Sequence, residues 1–433
     1  MTEPPQLPIT AGVSRRSTLS MLAGAAIGGS TVADEAGARA ARSSEARAFR
    51  IRTLTAGTPV KSLADLSAIE ATLDFLAAAK RTFEAESYEV QTTRVAVNPL
   101  LLDVSPSVRA EALPQLVALD KLLIERGAII SIGPVLSRGD EAATLGTWVR
   151  QLIGRTRAIN FSAMVASSTH GVHREAVSAA ARIMAALSDV AADGVANFRF
   201  AAAACVPPGT PFFPAGYHEG SAALAIGVES ANLVTQAFSG AADPVQASER
   251  LRAVLDSEFK PIEALGRKVA RQAQRRYLGI DSSPAPGINS SIGRALEALT
   301  GQPFGEPSSL QACAAVTKAL KSLAVTTCGY SGLMLPILED PTLATRAAGG
   351  GLGIAKLLLY SSVCGTGLDL VPLPGDVEEA QMARIIGDVA TLAVRLSKPL
   401  SARLFPVPGK QVGDALKFVD PLLTASRVLS VDS

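Results

Sequence analysis

Four times along this chain an apolar, strand-like run ends in a tight turn built from proline and glycine. Phe198–Val206 (FRFAAAACV) runs into Pro207-Pro208-Gly209, and Tyr277–Asp281 (YLGID) leads to Pro284-Ala285-Pro286-Gly287. Gly367–Val371 (GLDLV) leads to Pro372-Leu373-Pro374-Gly375, and Leu400–Phe405 (LSARLF) to Pro406-Val407-Pro408-Gly409. Proline has no N–H to give a ladder and glycine supplies the backbone angles of turns, so each motif is expected to end a strand. Helical patterns follow the second and third. In α/β folds ligands bind in loops beyond the carboxyl ends of strands, so these loops mark where a site is expected.

The rest of the chain alternates in the same way. Phe49–Thr55, Tyr88–Val97, Ala128–Ile132, Ala158–Val165, Leu323–Thr327 and Leu357–Ser361 are strand-like. Leu63–Glu86, Val108–Arg126, Asp140–Ile153, Arg174–Val190, most of Ala222–Arg276, Leu310–Leu323 and Val377–Leu396 have helical spacing. Strands separated by helices of this length imply crossover connections and a largely parallel sheet. About ten strands exceed the eight of a standard barrel. The pattern therefore predicts one α/β barrel domain over residues 41–433, either enlarged or made of two half-sheets.

Composition narrows the function classes. A chain of 433 residues that is 48% hydrophobic can bury a large core. With 41 basic against 39 acidic residues and 4% aromatics, it has neither a basic stripe nor stacking platforms, which argues against nucleic-acid binding. No run of about 18 uncharged apolar residues appears, so no stable membrane insertion is expected. The first 40 residues read separately. Arg15-Arg16 precede a short apolar run, Leu19–Gly29, and Ala38-Arg39-Ala40 supplies the small residues of a cleavage site before Ala41. This resembles a twin-arginine export signal, which implies the twin-arginine translocon as a partner and a periplasmic or other extracytoplasmic location. Thr18 and the acidic Asp34-Glu35 depart from that pattern. The alternative is an alanine-rich disordered extension on a cytoplasmic protein.

Four blocks carry a family resemblance: Arg50–Gly57 (RIRTLTAG), Pro207–Gly220 (PPGTPFFPAGYHEG), Cys328–Asp340 (CGYSGLMLPILED) and Ser361–Asp376 (SSVCGTGLDLVPLPGD). Together they resemble the uncharacterised DUF711, or UPF0210, family over roughly Phe49 to Val428. The resemblance implies a barrel similar to that of glycyl-radical enzymes, with ten strands in two five-stranded parallel halves. It implies no particular reaction. Cys328-Gly329-Tyr330-Ser331-Gly332 departs from the Val-Gly-Gly-Leu-Ser-Gly type of block that many members carry.

Residues able to do chemistry are few. His170, His173 and His218 are the only histidines, so no serine after His218 can open a Ser…Asp…His triad of the α/β-hydrolase order. His218-Glu219 closes the Pro207–Gly220 loop ahead of an expected helix near Ser221, and a helix start suits an anionic ligand. The pair is the leading candidate for acid/base catalysis or a metal shell; the alternative is a histidine that ties the loop down. His170 and His173 share a spacing that places both rings on one side, as a metal pair or as surface residues. Cys328 and Cys364 each end an apolar run and precede glycine, so they are candidate catalytic thiols or buried structural ones. The C-terminal Ser426–Ser430 lacks the glycine that radical chemistry needs. Cys205, Cys313, Cys328 and Cys364 have no C-x-x-C spacing, which argues against a disulfide framework or zinc knuckle. Asp281 and Asp369, at or near strand ends, and Arg403 with Lys410, flanking the last turn, are candidate ligand-binding residues. Asp376 reads as the cap of the helix beginning at Val377.

These residues predict an enzyme of the hydrolase, lyase or isomerase type acting on a small polar or anionic molecule. A divalent metal is the cofactor such residues admit, its ligands unknown. The rival reading is a non-catalytic small-molecule binding protein using the same strand-end loops.

Overall fold

The central strands are built from Val, Ile, Leu and Ala runs that helices cover on one side, and they set the architecture. The computed structural model describes residues 48–431 except 139–141 and 288. The leader with Arg15-Arg16 lies outside the described residues. A mixed α/β fold is formed by a ten-stranded, mostly parallel sheet and eleven α-helices among the described residues. In chain order the sheet contains β1 (Arg50–Thr58), β2 (Val90–Val97), β3 (Ala128–Pro134), β4 (Ile159–Ser167), β5 (Gly171–Val172) and β6 (Phe200–Ala204). Then come β7 (Ala223–Glu229), β8 (Arg276–Asp281), β9 (Gly367–Pro374) and β10 (Leu400–Val407).

The spatial order is β8-β7-β1-β2-β3-β4-β6-β10-β9, with β5 attached to β4. Strands β1, β2, β3, β4 and β6 are mutually parallel. β7 meets β1 antiparallel, and β10 meets β6 antiparallel. The outer pairs β7–β8 and β9–β10 are each parallel. Single parallel bridges then join Ile280 to Thr327 and Pro336 to Asp369, so the segment between them contacts both edge strands.

Several expectations need correction. The run Ala222–Arg276 is not helical from its start: Ala223–Glu229 (ALAIGVE) is β7, completely buried between neighbours β1 and β8. A strand buried on both faces loses the alternation that would betray it. His218 therefore precedes a strand, and the helix start invoked for it does not exist. Leu357–Ser361 lies in a helix, Ile354–Ser361, because short apolar runs carry no decisive period. Leu323–Thr327 forms no named strand and contributes only the Thr327 bridge. β9 and β10 continue through Pro372, Pro374 and Pro406 and do not end before them. This is allowed because β9 is an edge strand, and β10 pairs with β6 only over Leu400–Ala402, leaving Pro406 free on that side.

Helix caps fix the segment that later matters most. Asp340 caps Pro341–Ala348 by accepting from the Thr342 and Leu343 amides at 2.9 and 3.0 Å. Its second oxygen accepts from the Ile292 and Gly293 amides at 2.6 and 3.2 Å, at the start of the helix Ile292–Thr300. One buried carboxylate thus ties two helix starts together and holds its neighbour Glu339 in place. Glu378, not Asp376, caps the helix Glu379–Leu396 through a capping box with Gln381. Asp376 instead accepts from Gln411 Nε2 at 3.0 Å.

Candidate functional site

Strand alternation gives the sheet two unlike faces. On β1, Leu54 and Ala56 join the main apolar core, while Thr53 and Thr55 hydrogen-bond to each other at 3.1 Å. On β2, Val95 and Val97 join that core, and Arg94 Nε donates to Thr92 Oγ1 at 3.2 Å. On β6, Ala202 and Ala204 belong to the main core, whereas Ala201 and Ala203 form a separate cluster with Val206, Ala215 and Tyr330. On β10, Leu400, Ala402 and Leu404 face the core and leave Ser401 and Arg403 between them. The second face is therefore polar or small. Its alanines leave room for two inserted segments, Pro207–Tyr217 and Cys328–Pro336.

Charged groups gather on that polar face. Arg403 Nη1 donates to Asp369 Oδ1 at 2.9 Å, with side chains 3% and 0% exposed. Its Nη2 donates to the Phe198 carbonyl at 3.0 Å, and the guanidinium lies over the rings of Phe198 and Phe212. Arg52 bridges Glu229 at 3.3 Å and Glu339 at 3.2 Å, and Arg50 reaches Glu229 at 3.0 Å. Arg94 makes no ion pair among the described residues. Its Nη1 reaches only the Pro211 carbonyl, at 3.4 Å, and its face rests on Phe213.

Electrostatics follow from this arrangement. Burial, helped by nearby Glu339 and opposed by Arg403 and Arg52, pushes the Asp369 carboxyl up to about 6. Burial and then the like charges of Arg52 and Arg403 push Arg94 down to about 9, with Glu339 opposing, so it stays charged at neutral pH. Burial likewise raises the Tyr330 phenol. Asp369 Oδ2 and Arg403 Nε are both buried without a hydrogen-bond partner, and the Tyr330 phenol beside them has Ser401 as its neighbour. Buried polar atoms normally find partners, so two orphans within one ion pair point to a further partner.

The strand-end loops divide between two ends of β9. Pro207–Gly220, Ser282–Gly287, Cys328–Gly332 and Cys364–Gly367 converge near its start. Tyr330 and Ser331 amides donate to Asp281, the Gly332 amide donates to Ser283 Oγ, and Gly332 packs directly on Gly365. A Cβ on Gly329 would meet both Asp281 and Pro211. Pro372–Asp376 and Pro406–Lys410 meet each other at the far end, where the Gly375 amide donates to the Lys410 carbonyl at 3.0 Å.

The sequence candidates scatter accordingly. Arg403 and Asp369 are brought together in the cluster; Lys410 sits beyond the far end of β10. Asp281 is saturated, accepting from Ser283, Tyr330 and Ser331, and holds the Cys328–Gly332 turn. His218 is buried, with Nε2 donating to the Ser221 carbonyl at 3.0 Å, which fixes the neutral Nε2–H tautomer. Burial pushes its pKa down, and Nδ1 lies unpartnered against Gly57. Glu219 is exposed beside it. The Cys328 thiol is pushed well up by burial and by Asp281, which keeps it protonated. Cys364 is buried, and its carbonyl, with those of Ser361 and Ser362, accepts from Lys398 Nζ. His173 Nδ1 donates to the Met164 carbonyl at 3.1 Å and its ring is 6.3 Å from that of exposed His170. Among the described residues no three His, Cys, Asp or Glu side chains are grouped to hold a metal ion, and no helix is long and apolar enough to cross a membrane.

Arg52, Arg94, Glu339 and Tyr330 were not among the sequence candidates. The signal was present: a lone arginine inside an otherwise apolar or threonine-rich strand must face something other than the core.

The chain is similar to known proteins over most of its length. A UPF0210 protein of Pyrobaculum arsenaticum is 33% identical over 377 residues, covering 82% of this chain and 81% of that protein. One from Syntrophobacter fumaroxidans is 29% identical over 369 residues, covering 79% and 80%. One from Methanosarcina barkeri is 27% identical over 348 residues, covering 75% and 76%. The family model described as an uncharacterised ACR, DUF711, matches residues 44–422, and the chain belongs to that family.

Proposed function

We propose that this protein is an enzyme acting on a small anionic molecule bound on the polar face of the sheet, among Arg52, Arg94, Arg403, Asp369 and Tyr330. The observation that carries this is the buried, unpartnered Asp369 Oδ2 in the same cluster as Arg94, an arginine with no carboxylate partner. Asp369, titrating near neutrality, is suited to take and return a proton, and the phenol of Tyr330, kept protonated by burial, to hydrogen-bond negative charge that develops on the substrate. That combination supports lyase or isomerase chemistry, in which a proton moves on the substrate. The two opposed sets of parallel strands and the bridges through Thr327 and Pro336 support a closed barrel of the glycyl-radical-enzyme shape around this face. In this reading His218 positions the inserted loop and Glu219 stays at its surface.

The test is a panel of small carboxylates and phosphate esters, screened by thermal shift and then for turnover. Arg94→Gln should abolish the response of a hit, and Asp369→Asn should abolish turnover. His218→Ala should lower stability by about 1–3 kcal/mol and leave the response of folded protein intact. If His218→Ala removes the response without loss of stability, the site lies at His218 instead. A hit that binds through Arg94 and is never turned over makes the protein a non-catalytic binder.

We propose also that Arg15-Arg16 direct export by the twin-arginine route, the mature chain starting near Ala41. Replacing both arginines by lysine should leave the protein unprocessed in the cytoplasm. Recovery of intact Met1–Ala40 on the wild-type protein in its natural host would sink this reading.

A further inference from the structure

We infer that the ligand presents a single carboxylate to Arg94, in the place now taken by the Pro211 carbonyl, so that the site selects monocarboxylates over dicarboxylates and phosphate. This rests on the proposed anion site and specifies its substrate class. Three of the four arginines on the polar face already hold a carboxylate. Arg50 takes Glu89 and Glu229, Arg52 takes Glu229 and Glu339, and Arg403 takes Asp369. Arg94 alone makes no ion pair among the described residues, with a hydroxyl at 3.2 Å and a backbone carbonyl at 3.4 Å as its acceptors. One unpaired arginine in a partly buried setting calls for one negative charge. A second charge on the ligand would be held in the same low-dielectric region as Asp369, Glu339 and Glu229, where repulsion is strong.

Geometry agrees with the count. Phe213 covers one face of the Arg94 guanidinium, with 5.3 Å between Cζ and the ring centroid, so new partners must come along its edge. The planar N–H edge of arginine matches the two oxygens of a carboxylate. Nη1 is held only by the long contact to Pro211, and Nη2 makes no hydrogen bond among the described residues. A carboxylate along that edge would replace a neutral acceptor with a charged one and displace the Pro211 carbonyl. The Pro207–Tyr217 loop would then shift with ligand binding, taking Phe212 away from Tyr330, whose rings are now 5.1 Å apart.

Isothermal titration of the full chain at low ionic strength, with propionate, succinate and inorganic phosphate as separate probes, tests this. Propionate should bind most tightly, and Arg94→Gln should weaken it at least tenfold. That variant should stay folded, because it relieves repulsion with Arg52 and Arg403; Arg94→Lys, which keeps the charge and loses the planar edge, should weaken binding several-fold. Phosphate or succinate binding as well as or better than propionate, still dependent on Arg94, would overturn the monocarboxylate inference and leave the anion site standing. Absence of any Arg94-dependent binding would overturn both.

Discussion

Asp369→Ala is expected to lower stability by about 3–5 kcal/mol at neutral pH, among the largest effects of any single substitution in the chain. The partner it abandons, Arg403, is 3% exposed and cannot reach water. Only the Phe198 carbonyl and the faces of Phe198 and Phe212 would remain to it. The loss measures a stranded charge more than the worth of the pair, because desolvation offsets most of the attraction between buried ions. The double replacement Asp369→Leu with Arg403→Met should therefore recover most of the stability, and urea unfolding of the three proteins checks this. A double variant as unstable as Asp369→Ala would contradict the argument.

The same residue predicts a pH signature. The native carboxyl is raised from its ordinary 3.8 to about 6, so between those values the folded state holds a proton that the unfolded chain has released. Stability from this group is therefore complete below about pH 4, falls as pH rises through the window, and is level above about 6. Asp369→Asn should remove that part of the slope. An unchanged pH profile would mean that Asp369 does not titrate there.

Much of this was legible in the chain, and the failures have physical causes. Alternating strands such as Tyr88–Val97 and Leu400–Phe405 announced themselves, since one face is apolar and the other polar. Their partners did not: that β7 inserts between β1 and β8 depends on contacts far apart in sequence. The strand-end loops form two groups: Gly329 and Gly332 meet Asp281, Pro211 and Gly365, while Gly375 meets Lys410 at the other end of β9. They pointed to His218 and Glu219, at the end of the long loop, and the strand arginines under that loop were not singled out. A charge inside a strand is a pointer of a different kind, because the pleat sends it to one face and the core occupies the other.

The second large effect is expected where the turn Cys328–Gly332 meets the turn Cys364–Gly367. Gly365→Ala should destabilise the protein by about 3 kcal/mol. Neither Gly332 nor Gly365 has a positive φ, so alanine is conformationally acceptable at both. At such positions glycine-to-alanine usually stabilises, by restricting the unfolded chain. Here a Cβ on either residue would overlap the Cα of the other, backbone against backbone, with no side chain free to turn away. The Gly365 amide also donates to the Leu333 carbonyl at 2.9 Å, so separating the turns breaks that bond as well. Displacement would pass along Leu333–Ile337 to the Asp369 bridge and to Glu339, so ligand response should fall together with stability. Gly387→Ala is the control, because it sits inside the helix Glu379–Leu396 where a Cβ would meet only Val177, at 4.0 Å. It should stabilise by about 1 kcal/mol. Thermal melts of the two variants should thus move in opposite directions from the wild type, and a stabilised Gly365→Ala would show that the two turns do not touch as the structure places them.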